Sequence, residues 1–202
     1  IVGYQNFVNK LWNAARFVLM NLEDQILFEE DCSLEDIDRK HLNLADRWIL
    51  SRLTATVEEA RKTVESYRFN EFANNLYQFV WHEFCDWYIE MSKLSLNGTL
   101  GDDRLKTQRV LCRVHKNILL LLHPIMPFVS EEIWQVFASK EDVEQGATEK
   151  MNGSIMAQRY PEAANGWRDL QTELEVDSLI GIIRGIRNLR TELNCPPSRE
   201  VS

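Results

Sequence analysis

Residues 41–66, HLNLADRWILSRLTATVEEARKTVES, contain the clearest structural pattern of the chain. Apolar side chains recur there every three or four residues, which is the period of an α-helix with one buried face. The apolar positions are Leu42, Ala45, Ile49, Leu53, Val57, Ala60 and Val64. The pattern therefore predicts a long amphipathic helix over this stretch.

Helical patterns also occupy most of the remaining sequence. They predict helices over residues 4–22, 70–96, 102–122, 130–138 and 169–194. Strand patterns are scarce, and only residues 154–160 could form a short extended segment. We predict an all-α helical bundle with at most one short β segment near 154–160.

Proline and glycine positions divide the chain into four parts. We expect a helical bundle over 1–138, an irregular connection with the short strand segment over 139–168, and a long closing helix over 169–195. Residues 196–202 would begin the exit toward further parts. The chain begins with Ile1 rather than methionine, so we expect it to be a fragment of a longer protein.

Composition excludes several classes of protein. Hydrophobic residues make up 45% and charged residues 27% of the chain, as in ordinary globular domains. The longest apolar run, Ile118–Leu122, is far too short for a membrane span. The four cysteines are irregularly spaced and contain no CxxC pair. This spacing favours a reducing, cytoplasmic setting over a disulfide framework.

Charge is unevenly distributed along the chain. The formal net charge of −8 argues against a general nucleic-acid coat. Residues 1–22, however, contain Lys10 and Arg16 and no acid, whereas residues 23–38 contain eight acids and no base. Residues 104–116 contain bases and no acid. Local surfaces are therefore more informative than the net charge.

The first predicted helix has an aromatic residue on its polar face. At about 100° of rotation per residue, its apolar side chains fill an arc of roughly 140°. Phe17 falls outside that arc, about 20° from Lys10 and about 40° from Asn13, and Arg16 flanks the same face. A ring beside Asn, Lys and Arg suits an RNA surface, because bases stack on aromatic rings while amides read base edges and cations hold phosphates. Alternatively, Phe17 packs beneath another helix or the acidic segment that follows it.

Five segments resemble valyl-tRNA synthetases, a family of class I aminoacyl-tRNA synthetases. NKLWNAARFVLMN (9–21) resembles the helix after the catalytic domain, and LADRWILSRL (44–53) resembles the second-helix signature shared with the isoleucine and leucine enzymes. The remaining segments, in family order, are YRFNEFANNLYQFVWHEFCDWYIEMSK (67–93), LLHPIMPFVSEEIWQ (121–135) and IRNLRTELNCPPSR (186–199). The resemblance covers almost the whole chain.

This resemblance implies the anticodon-binding helical bundle of the class Ia synthetases, with no catalytic residue of its own. The first helix would meet the anticodon loop of tRNA(Val) through Lys10, Asn13, Arg16 and Phe17. The full-length enzyme would join valine to tRNA with ATP bound in its catalytic domain. The catalytic domain and a C-terminal coiled coil would be partners in cis, in a monomeric cytoplasmic protein. Isoleucyl- or leucyl-tRNA synthetases, or a helical protein–protein module, are the alternatives.

Other polar clusters have structural or RNA-backbone interpretations. Basic stripes that could contact the RNA backbone are Lys106, Arg109, Arg113 and Lys116, and also Arg184 and Arg187. His82, Cys85, Cys112 and His115 have a zinc-like spacing, but they lie mid-helix, so we expect no metal site.

The remaining interpretations concern carboxylates and tryptophans. Glu83, Asp86 and Glu90 are expected to be solvated or to pair with cations rather than to perform acid–base chemistry. The tryptophans at helical spacing are expected in the core.

Overall fold

A computed structural model describes residues 2–22, 37–98, 101–144, 153–163 and 166–196. The α-helices are α1 (Val2–Asn21), α2 (Leu44–Glu65), α3 (Phe69–Tyr77), α4 (Ile89–Leu96), α5 (Gly101–Leu122), α6 (Pro127–Glu144) and α7 (Leu170–Glu192). Gln78–Tyr88 is π-helical, so α3, this segment and α4 form one continuous rod, called here the third helix. The predicted all-α bundle is confirmed. None of the helices in these ranges has both the length and the hydropathy needed to cross a bilayer.

Residues 154–160 form no strand. Ile155–Ala157 is instead a 3-10 turn, capped by Ser154, whose hydroxyl accepts from the Met156 amide at 3.2 Å. The same hydroxyl donates to Glu131 Oε2 at 2.7 Å, and Ile155 is buried. The segment is therefore held by α6, where an isolated extended strand would leave its backbone groups unpaired.

α2 is the long amphipathic helix that its apolar period predicted. Ile49, Leu53, Val57 and Ala60 are all buried. The helix begins at a side-chain cap, since Asn43 Oδ1 accepts from the Asp46 amide at 2.8 Å. It contacts the third helix, α5 and α7, whereas α1 and α6 contact α5 and each other.

A buried carboxylate fixes the relative positions of α2, the third helix and α5. Asp46 accepts hydrogen bonds from Tyr88 Oη, Thr107 Oγ1 and Asn43 Nδ2, each at 2.7 Å. Burial raises the pKa of Asp46 to about 6, although these hydrogen bonds act in the opposite direction. The network satisfies a charge that would otherwise be costly in the core.

α1 and the third helix run parallel. The Phe7 ring lies 5.4 Å from the Tyr77 ring, and Lys10 Nζ lies 4.1 Å from the Trp81 ring centre. Further along, Phe17 lies beside Lys93. Residue numbers of the contacting side chains increase together along the two helices, so the helices run in the same direction. α5 and α6 contact α1 as well, so α1 packs against three neighbours and keeps one face open to solvent.

Only the first half of α7 closes the bundle. Thr172, Val176 and Ile180 are buried, and α7 contacts α2. From Gly181 to Leu189 every side chain is exposed. The predicted long closing helix is present, but its second half projects beyond the core.

Candidate nucleic-acid interface

The open face of α1 is a ridge of polar side chains. Its buried face matches the predicted arc, since Phe7, Leu11 and Val18 are buried. The exposed side chains of the ridge are Gln5, Asn6, Asn9, Asn13, Arg16 and Met20. The described part of α1 contains no acid, so the ridge offers amides and one cation to a ligand.

Phe17 lies on the shoulder of this ridge, toward the third helix. It is half-buried against the core, and Lys93 Nζ lies 5.9 Å from the ring centre. The ring is therefore neither fully exposed to solvent nor fully buried in the core. The ring has a lysine over it and a part that stays accessible, so both the stacking interpretation and the packing interpretation describe part of its surroundings.

Lys10 is held within the protein. Its ammonium forms an ion pair with Asp86 and lies over the Trp81 ring. Asp86 also contacts His82 Nδ1 at 3.1 Å. Lys10 is on the predicted face, but a phosphate would have to replace Asp86 as its partner.

Asn13 and Arg16 are more accessible. Both are exposed, and within the described residues neither makes a hydrogen bond or ion pair. The remaining cation near Phe17, Lys93, donates to Glu90 at 2.6 Å. Arg16 is therefore the cation of this face that a phosphate can reach without displacing a carboxylate.

The three carboxylates of the third helix each have a cationic partner. Glu83 accepts two hydrogen bonds of 2.9 Å from Arg52, in the bidentate geometry that arginine favours. Asp86 pairs with Lys10, and Glu90 pairs with Lys93. The expectation that these carboxylates pair with cations is confirmed.

The basic stripe of α5 is engaged with the protein. Lys106 donates to Asp102 at 2.6 Å, and Lys116 lies 5.7 Å from the Trp134 ring centre. Arg109 and Arg113 also have interaction partners. The structure brings these side chains to one helix, but it does not leave them as free cations.

Arg184 and Arg187 of α7 converge on one tryptophan. Their guanidinium carbons lie 5.6 and 5.4 Å from the Trp87 ring centre. Neither pairs with a carboxylate among the described residues. This arrangement resembles a cation–π stack and leaves both guanidinium groups exposed.

The histidines and cysteines with zinc-like spacing lie in different surroundings. His82 is beside Asp86, while His115 is fully buried between the rings of Phe84 and Phe137. Cys112 is disulfide-bonded, which the predicted reducing setting did not anticipate. Across the ranges that the structure describes, no group of three or more potential ligands could hold a metal ion.

Trp12 departs from the expected core position. Trp48 and Trp134 are at most 2% exposed, whereas Trp12 is 39% exposed. Trp81 and Trp87 are half-buried beneath cations. The sequence did carry a signal for Trp12, because it ends the apolar arc of α1 next to Arg16. The buried-tryptophan prediction is therefore wrong for Trp12.

Family comparison agrees with this architecture. The family of anticodon-binding domains of tRNA ligases matches residues 46–202. That match covers well over half of the chain, and the chain belongs to this family.

Relatives that align along the chain are valine–tRNA ligases. The protein of Syntrophotalea carbinolica is 45% identical over 202 residues, which is 100% of this chain and 21% of the relative. That of Geobacter sulfurreducens is 46% identical over 206 residues, again 100% of this chain and 21% of the relative. That of Bacillus anthracis is 39% identical over 196 residues, 97% of this chain and 20% of the relative.

The chain thus spans about a fifth of the length of these relatives. These findings support the valine type over the isoleucine and leucine types, and over a protein–protein module.

Proposed function

We propose that the α1 ridge and its Phe17 shoulder bind the anticodon loop of tRNA(Val). The observation that carries this proposal is the exposed Arg16, which has no ion-pair partner in the described ranges and lies beside Asn13 and the half-buried Phe17, on a helix whose described part has no acid. The ridge combines a ring, an amide and an accessible cation, and residues 46–202 of the same chain match a family of anticodon-binding domains.

Each side chain has a distinct role in this proposal. An unpaired base stacks on the accessible part of the Phe17 ring, and Asn13 hydrogen-bonds to a base edge. Arg16 binds a phosphate. Lys10 contributes only when the RNA displaces Asp86, so its net contribution is smaller than that of Arg16.

The chain acts as part of a larger enzyme in this proposal. The whole enzyme joins valine to its tRNA, with ATP bound in a catalytic domain in cis, and a C-terminal coiled coil is a further partner in cis. The protein is a cytoplasmic monomer. This chain supplies no catalytic residue in the proposal. It contributes selection of the correct tRNA, because wrong anticodons lose hydrogen bonds to Asn13.

RNA-backbone contacts beyond α1 are proposed for α7 before α5. Arg184 and Arg187 are exposed and unpaired with carboxylates in the described ranges, so phosphates can approach them without breaking an ion pair. Lys106, Arg109, Arg113 and Lys116 already have partners. RNA contacts by these four side chains remain a prediction, and each side chain would first have to leave its present partner in the protein.

Titration with two labelled stem-loops tests the proposal. A stem-loop with a valine anticodon should bind more tightly than one with an isoleucine anticodon. Phe17→Ala should weaken valine-type binding about five- to hundred-fold, since stacking contributes about 1–3 kcal/mol per base. Asn13→Ala should narrow the preference between the two anticodons.

Phe128→Ala is the matched control, because Phe128 is 91% exposed on α6 and does not line the cleft between α6 and α1. It should leave both affinities unchanged. Equal binding of both stem-loops, with no effect of Phe17→Ala or Asn13→Ala, would overturn the site assignment.

A further inference from the structure

A second shoulder of the α1 ridge faces α6. An apolar cleft lies there between the two helices, lined by Trp12, Arg16 and Leu19 on α1 and by Ile133 and Val136 on α6. Trp12 is 39% exposed and Val136 is 40% exposed at its rim. The structure has therefore left a large aromatic surface open at the edge of the ridge, where burying it would have contributed to stability.

The charge on the α1 side of this cleft favours an anionic ligand with an aromatic part. Arg16, a cation without a carboxylate partner in the described ranges, lines the same cleft as Trp12. The described part of α1 carries no acid that would repel an anion. A nucleotide matches both features, since its base stacks on an indole and its phosphate pairs with a guanidinium.

Trp12 and Phe17 lie on opposite sides of the same ridge. They are five residues apart, which places them about 140° apart around α1. A helix with its side chains is about 10–12 Å across, so a single RNA loop that crosses α1 can reach both shoulders. Arg16 and Asn13 lie between the two rings in the helical rotation.

We propose that Trp12 is a second stacking platform, which takes one unpaired base of the RNA loop whose other base stacks on Phe17. This inference rests on the proposed function of the ridge. The α1 surface then holds two bases splayed to opposite sides of the helix, with Arg16 bound to the backbone between them. The open face of Trp12 at the rim of the cleft is then a base-stacking surface rather than a packing defect.

Two substitutions at position 12 separate stacking from simple apolar contact. Trp12→Phe keeps a π-face, and its affinity for the valine-type stem-loop should stay within about three-fold of the original. Trp12→Leu keeps apolar contact without a π-face, and it should weaken binding about five- to hundred-fold. Thermal unfolding of each variant checks that the bundle is intact.

An abasic scan of the loop identifies the base that stacks on Trp12. One loop position should lose affinity on base removal in the original chain but not in Trp12→Leu. A different position should behave in this way with Phe17→Ala. Coincidence of the two positions, or equal affinities of Trp12→Phe and Trp12→Leu, would overturn the second platform.

The outcomes also separate this inference from the function on which it rests. If Phe17→Ala weakens binding while Trp12→Leu does not, the ridge binds RNA and Trp12 is not a platform. If neither substitution changes binding, the proposed function fails together with the inference.

Discussion

α1 and α5 are the two basic helices of the sequence, and they use their cations differently. α5 carries Arg104, Lys106, Arg109, Arg113 and Lys116 without an acid among residues 104–116, whereas the described part of α1 carries only Lys10 and Arg16. Charge density alone would therefore assign RNA binding to α5. The α5 cations all have partners within the protein, while Arg16 has none in the described ranges. Accessibility of the charge, rather than its density, is therefore the basis on which we propose α1 and not α5 as the binding surface.

The buried side of α5 reinforces this contrast. Thr107 and His115 are both fully buried on that helix. Thr107 donates to Asp46, and His115 is placed between aromatic rings. α5 thus contributes to the fold through its interior and its paired cations, and substitutions there should change stability before they change binding.

The largest expected effect concerns the pH dependence of stability around α5. Burial lowers the pKa of His115 to about 3, so the unfolded chain takes up a proton first and acid destabilises the fold below about pH 6.5. Burial raises the pKa of Asp46 to about 6, so on acidification the folded state takes up this proton before the unfolded chain does. Protonation of Asp46 therefore stabilises the fold at low pH, and this contribution is lost as pH rises from about 4 to 6. Each titration is worth about 3 kcal/mol between pH 7 and pH 4, with opposite signs.

Single substitutions should separate these two titrations. Asp46→Asn removes the stabilising protonation, so the free energy of unfolding should fall more steeply from pH 7 to pH 4 than in the original chain. His115→Phe keeps an aromatic ring in place and should remove the acid-induced loss. Urea unfolding at several pH values measures both slopes. Parallel pH profiles for the two variants would show that neither buried group titrates as described.

Removing one cation from each helix tests the contrast directly. Arg16→Ala should weaken stem-loop binding about ten- to hundred-fold, because a hydrogen bond to a charged group contributes about 1.5–3 kcal/mol. It should also reduce the slope of log affinity against log salt by about 0.7, the value for one phosphate contact of a single strand. Lys106→Ala on α5 should change both quantities less than Arg16→Ala, because Lys106 already pairs with Asp102.

Arg159→Ala is the matched arginine control, since Arg159 is exposed outside both helices. It should leave the affinity and the salt slope unchanged. A larger loss with Lys106→Ala than with Arg16→Ala would reverse the assignment of the two helices.

Releasing Lys10 should have a smaller effect of opposite sign. Asp86→Asn removes its partner carboxylate, and half-exposed ion pairs contribute about 0.2–1 kcal/mol, so stem-loop binding should tighten by up to about five-fold. Glu71→Gln removes an ion pair of α3 with Arg68 and serves as the control. Weaker binding of Asp86→Asn would mean that Asp86 positions Lys10 for the RNA instead of restraining it.

The sequence predicted the helices well because their apolar periods are long and regular. Ile49, Leu53 and Val57 are buried as their spacing required. The segment at 154–160 was harder, because its 3-10 turn depends on a hydrogen bond from Ser154 to Glu131, which lies 23 residues earlier. Local pattern contains no information about such a partner.

The candidate site was predictable only in part for the same reason. The helical rotation of α1 placed Asn13, Arg16 and Phe17 on one side, and the structure agrees that Asn13 and Arg16 are exposed. The pairing of Lys10 with Asp86 joins residues 76 positions apart, and the Lys93 ammonium over Phe17 comes from another helix. The exposure of Trp12 likewise depends on how closely α6 approaches α1, and the helical rotation of α1 does not predict that separation.

The most direct test of the central claim is photo-crosslinking of the bound loop. A valine-type stem-loop carrying a photoactivatable base in the anticodon is irradiated on the protein, and the modified peptides are identified by mass spectrometry. We predict crosslinks in residues 11–22, which include Trp12, Asn13, Arg16 and Phe17. Crosslinks confined to residues 104–122 of α5, with α1 unmodified, would contradict the account.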